Sequence, residues 1–229
     1  MSDVRKPKRH PKFKPKAKAA LTLARENLET AKDAAAKGRM NSAATSLVTA
    51  GEEAVKARVY WMIYEDIATF DAKRRSEKIY IEEKDLGLHL PKQTFLFILG
   101  AGHAAAMLLS QPDLLTEETS RALDSDPEGV LDQQLPGFAK LSKLYDRLED
   151  IRQSTLSGPP KSGRGRIQLS SAEFEGLAMA IQGIIDFADY EQNHFERTDT
   201  DLLLVQERIS LMVPFMDQLA ARARREGGL

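Results

Sequence analysis

The chain has 229 residues, 42% hydrophobic and 29% charged, with 33 Lys and Arg against 34 Asp and Glu. That mixture belongs to a folded protein with a sizeable core, and the net charge of −1 excludes a protein that coats nucleic acid over its whole surface, though not one with a local basic patch. With no cysteine, disulfides, thiolate metal sites and cysteine nucleophiles are excluded; the four histidines (His10, His89, His103, His194) lack zinc-site spacing, so no metal or other cofactor is expected.

Residues 1–13 read as a disordered basic tail, in which Arg5, Lys6, Lys8, Arg9 and Lys12 are interleaved with Pro7 and Pro11. No apolar signal core follows this tail, so a cytoplasmic location is expected. Residues 14–229 read as one α-helical domain, with 111–135 as the place where it would divide. Pro15 suits a first helical turn. From Lys16 to Lys37 the chain is rich in Ala, Leu, Glu and Lys, all good helix formers, and Gly38 is a stop signal. Asn41 or Ser42 can cap a second helix, in which Ala44, Leu47, Val48, Gly51, Val55, Val59, Met62 and Ile63 recur at helical spacing. The pattern runs on to about Phe70. Asp71 to Asp85 is charged and ambiguous: Lys73, Arg74, Arg75 and Lys78 either extend the helix or sit in a loop.

A third helix is expected from Pro91 to Leu109, apolar on most of its surface and therefore central to a bundle. Its greasy core, Phe95 to Leu109, is about 15 residues, short of the roughly 20 that a membrane span needs, so no membrane partner is expected. Gln111 to Gln134 is polar and broken by Pro112 and Pro127, with room for a short helix over Thr116 to Leu123. Pro136 starts another helix, with Phe138, Leu141, Leu144, Tyr145, Leu148 and Ile151 in one row. Ser157 to Gln168 is a loop carrying Lys161, Arg164 and Arg166; Gly158 and Gly163 imitate a phosphate-binding loop, but its Lys and Ser/Thr are missing. Ser170 followed by Glu173 is a capping-box pattern opening a helix through Phe174, Leu177, Ala178, Ile181, Ile184, Ile185 and Ala188. The last helix runs from about Asp199 to Arg225, with Pro214 expected to kink it or to end its first half. With no sustained strand and no internal repeat, the fold class is all-α.

Three short patterns bear on chemistry. Glu52 and Lys56 are spaced four apart, the favourable helical ion pair. At about 100° per residue, Glu52 lies at the edge of the apolar stripe and Glu53 points well away from it. Either the pair is a surface salt bridge, or Glu52 faces a polar pocket where it orients a base or a ligand. His89 and Lys92, at the mouth of the third helix, suit phosphate binding or proton transfer, or simply flank a cap. His103 reads as a hydrogen-bonded core histidine, and His194 as a group beside the last carbonyls of its helix.

On Glu52, Glu53, Lys56, His89 and Lys92, the chain resembles the abortive-infection AbiV-like proteins, a branch of the HEPN helical superfamily. The likeness is a helix of small and apolar residues ending in Glu-Glu-x-x-Lys, followed by His-x-x-Lys opening another helix. It covers mainly residues 16–110, with Leu144-Tyr145-Asp146 as a fainter echo. The resemblance implies a HEPN-like bundle of about six to seven helices. It also implies a bacterial anti-phage protein, triggered by a phage protein and acting on RNA or the translation apparatus. Such proteins pair, so a homodimer is expected. As a ribonuclease it would use His89 as acid/base, Glu52 to orient it, and Lys56 and Lys92 to stabilise phosphate charge. Many HEPN ribonucleases carry Arg-x4-6-His on a late helix; here that spacing occurs at Arg5 and His10, in the tail. The alternative is a non-catalytic, dimeric interaction module. A further reading is RNA binding through the tail and the Lys161 to Arg166 loop.

Overall fold

The computed structural model describes residues 8–74, 78–81, 83–86, 169–194, 197–200 and 202–203. The expected third helix, the helices over 116–123 and 136–151, the 157–168 loop, the Pro214 kink, and His89, Lys92 and His103 lie outside the described residues. The described part is mostly helical, in agreement with the all-α class. It falls into two compact units, one holding the described residues of 8–15, 59–86 and 197–203, the other those of 16–58 and 169–194. No helix among the described residues is long and apolar enough to cross a membrane.

Three long helices dominate the described residues: α1 (Phe13–Ala36), α2 (Met40–Tyr64) and α3 (Ser171–His194). Helix α1 starts before Pro15, which therefore sits in the first turn, where its lack of an N–H leaves no bond unmade. Its buried side is Ala17, Ala20, Leu21, Ala24, Leu28, Ala31 and Ala34, a ridge of mostly alanines that lets a neighbouring backbone come close. Gly38 ends it as expected. At φ 70° it reverses the chain, and the Gly38 and Arg39 N–H groups bond the carbonyls of Ala35 and Ala34, the two bonds of a Schellman cap.

The cap expected at Asn41 or Ser42 is not where α2 begins. Met40 is already helical and Ala43 N–H bonds the Arg39 carbonyl, because the glycine reversal returns the chain to helical geometry within one residue. From Ala43 onward every side chain of α2 is buried except Thr45, Ser46, Thr49, Glu53, Lys56 and Tyr60, so all but a narrow polar stripe faces protein. Gly51 is where α3 approaches: a Cβ there would meet Ile181 Cδ1 at 3.4 Å, ordinary contact distance. Gly51→Ala is accordingly expected to raise stability by about 0.5–1 kcal/mol through helix propensity. Gly51→Leu is expected to lower it by about 1–3 kcal/mol through overpacking. Urea unfolding followed by circular dichroism checks both; a tolerated leucine would mean that α2 and α3 do not meet at this point.

Helix α3 opens with the capping box read from the sequence. Ser170 N–H donates to Glu173 Oε2 at 2.9 Å, and Glu173 N–H donates to Ser170 Oγ at 3.2 Å. All seven apolar positions assigned to it are buried. Arg25 pairs with Asp189, and Lys32 donates to Gln182, so α1 and α3 run in opposite directions. Gly51 faces Ile181 while Arg58 pairs with Glu191, so α2 runs parallel to α3.

In the other unit the α2 pattern stops short of Phe70, at Tyr64. Ala68–Thr69, expected within that helix, form instead a short strand, β1, paired in parallel with β2 (Ile79–Tyr80); the residues read as ambiguous supply β2 and short 3-10 turns at Ala72–Arg74 and Glu83–Leu86. Residues 8–12, assigned by composition to the disordered tail, instead have fixed contacts. His10 N–H bonds the Tyr64 carbonyl at 2.9 Å, and Phe13 stacks on Tyr60 and meets Phe70 edge-on. Buried Phe13, Trp61, Tyr64, Ile67, Ile79, Ile81 and Leu202 form this unit's apolar interior.

Candidate functional site

Of the four side chains singled out from the sequence, the structure describes Glu52 and Lys56. Glu52 lies on the buried side of α2, only 6% exposed. Lys56 belongs to the polar stripe, and its ammonium takes Glu53 Oε1 at 2.7 Å instead of forming the expected pair with Glu52. The reason is solvation. A lysine bends its head toward water, and Glu53, on the same stripe, offers a carboxylate that keeps partial contact with solvent. Further along the helix, the Arg58 Nε donates to Glu191 Oε2 at 3.1 Å with both side chains buried, while its guanidinium lies over Phe187, 4.5 Å from the ring centre. His194 is exposed in the last turn of α3, beside Tyr190.

A dense polar cluster among the described residues was not anticipated, and it forms where α2 ends. Ile67 N–H bonds the Met62 carbonyl and Asp66 N–H bonds that of Ile63, a second Schellman cap, but Asp66 occupies the position where Gly38 stands in the first. Its φ is 66°, in the left-handed region that costs an L-residue about 1 kcal/mol or more and favours glycine. The carboxylate explains the choice. It is buried, and it gathers the Lys78 ammonium, the Lys8 N–H (3.2 Å), the His10 ring (3.1 Å) and the Arg74 guanidinium (3.3 Å). Lys78 also donates to the Asp66 main-chain carbonyl at 2.7 Å, placing a positive charge at the negative end of α2. Burial by itself would push the Asp66 carboxyl up; the hydrogen bonds from Lys78, Lys8 and His10, with the charge of Lys78, outweigh it and hold the group below its ordinary 3.8.

The adjacent Glu65 is fully buried and paired with Arg197, itself buried. Arg9 donates to the Arg197 carbonyl at 2.6 Å, which draws the N-terminal segment and residues 197–199 together. The available signal was the dipeptide Glu65-Asp66 set inside the apolar run Trp61 to Phe70. Two adjacent acids in such a run require buried cations, which periodicity does not supply.

Comparison with protein-family models, curated proteins and solved structures finds no match.

Proposed function

We propose that the chain is a bacterial anti-phage abortive-infection protein of the AbiV/HEPN type, a bundle of about six to seven helices acting on RNA or the translation apparatus. Its working side chains are then Glu52, Lys56, His89 and Lys92, and its active form a homodimer. The supporting observation is the burial of Glu52. A buried carboxylate on a helix side of mostly apolar residues is the informative exception to the usual placing of charge in water, and it marks Glu52 as a functional candidate. Next to it, Lys56 of the Glu-Glu-x-x-Lys pattern pairs with Glu53 on the polar stripe.

A second reading, the non-catalytic interaction module, draws on α3, whose Met179, Phe187 and Tyr190 are exposed although apolar or aromatic. One experiment separates the two. Total RNA is compared in phage-infected cells expressing wild type, Glu52→Gln or His89→Ala. Discrete RNA cleavage is expected in the wild type and at least a tenfold loss of it in either variant, with helical content unchanged. Cleavage retained in both variants refutes the site assignment. Intact RNA with protection retained favours the interaction module.

A further inference from the structure

Among the described residues of the unit that holds Asp66, exposed charge is mostly positive. Lys8, Arg9, His10, Lys12 and Lys14 follow one another within residues 8–14, and Lys73 and Arg74 lie just after β1; all are exposed or half-buried. The exposed acids among that unit's described residues are Asp71, Glu83 and Asp199. Two of these are already engaged: the Asp71 carboxylate accepts the Lys73 N–H at 3.0 Å, and Asp199 pairs with Arg9 at 3.4 Å. Among the described residues, positive charge is thus gathered on residues 8–14 and 73–74.

The buried Asp66 organises this charge. Its Oδ1 receives both the His10 ring and the Arg74 guanidinium, so the two side chains are held next to each other, and each keeps 34% of its surface exposed. Lys8 is tied to the same carboxylate through its main-chain N–H, which leaves its side chain outside the bond. A phosphate group, with several acceptor oxygens, fits paired imidazole and guanidinium donors, and the guanidinium fork suits it better than a point charge would. The surrounding lysines are spread along the segment that leads into α1 and its first turn, an arrangement for a ligand that repeats its charge rather than for one compact anion.

We propose that this face binds the phosphodiester backbone of an RNA strand, with His10 and Arg74 as the anchoring pair and Lys8, Lys12 and Lys73 as flanking charges. The proposal rests on the RNA reading above and adds where the strand is held, whichever group cleaves it. The test is fluorescence anisotropy of a labelled oligouridine with the full chain, carrying Glu52→Gln so that the strand is not consumed, over a salt series. Each neutralised phosphate of a single strand contributes about −0.7 to the slope of log K against log salt. Lys8→Gln/Lys12→Gln/Arg74→Gln is expected to weaken binding about tenfold at roughly 0.1 M salt and to flatten the slope by about 2. Lys8→Gln/Lys12→Gln alone, confined to exposed side chains, is expected to flatten it by about 1, which covers any loosening caused by loss of the Arg74–Asp66 pair. Unchanged slopes in both variants, or no binding at low salt, overturn the proposal. Displacement by polyglutamate as effective as by unlabelled RNA of equal charge also overturns it, in favour of an acidic protein partner. Absent binding here with wild-type cleavage in cells would remove this site and leave the RNA reading intact; binding without cleavage would keep this site and remove the ribonuclease assignment.

Discussion

Replacing Arg197 by methionine is expected to lower the free energy of unfolding by about 3–5 kcal/mol, among the largest losses any single substitution in the described residues should cause. The guanidinium faces Glu65, which has no exposed surface, and the two residues are separated by most of the chain's length. Their attraction in the interior is offset by the cost of drying both ions, so the pair as a whole adds little. Removing one member is different, because the carboxylate stays in an apolar surrounding without its counter-charge. The double variant Glu65→Leu/Arg197→Met should therefore recover most of the loss, since apolar groups of similar volume replace both ions. The chain's single tryptophan, Trp61, is buried in the same unit, and its fluorescence during urea unfolding is the natural readout. A loss below about 1 kcal/mol for Arg197→Met would class the bridge with solvated surface pairs.

The helices were legible because their signals are local. The reversal at Gly38 and the Ser170–Glu173 box each involve residues within one or two turns, and each stands where the pattern put it. The end of α2 was not legible for the opposite reason. Ile67, Ala68 and Phe70 continue the apolar pattern, and what stops the helix is an aspartate adopting a glycine conformation, supported by Lys78 twelve residues on and His10 fifty-six residues back. Composition assigned His10 to a disordered tail because lysine, arginine and proline predominate there; it cannot register a buried carboxylate waiting elsewhere. Of the candidate site, the inward side of Glu52 was readable from helical angles only to the edge of the stripe. The partner of Lys56 was misread, since a four-residue spacing to Glu52 competes with a three-residue spacing to the better-solvated Glu53. His89 and Lys92 lie outside the described residues.

The second large effect is expected at Asp66, where strain and charge can be separated. Asp66→Asn keeps a side chain tolerated at positive φ and retains an acceptor oxygen, but it leaves the Lys78 ammonium without its counter-charge in a buried setting. A loss of about 3 kcal/mol is expected. Asp66→Gly relieves the backbone by about 1 kcal/mol yet deletes every acceptor of the carboxylate, so it should be no more stable than the asparagine variant. A glycine variant as stable as wild type would mean that the cap matters and the charge cluster does not. The pH dependence follows from the direction of the Asp66 shift. Its folded-state value is depressed, so its contribution is fully present above the unfolded value of 3.8 and is lost as pH falls through the lower folded-state value. The gap in stability between wild type and Asp66→Asn should accordingly stay constant above that value and close on further acidification. The same protonation weakens the hold on His10, Arg74 and the Lys8 N–H, so the N-terminal segment should loosen in the same window. Hydrogen exchange at the His10 amide, which bonds the Tyr64 carbonyl, reads that step directly. Protection at His10 that survives acidification in the wild type, or that is unaffected by Asp66→Asn, would show that the segment is held by Phe13 and its aromatic neighbours rather than by the carboxylate.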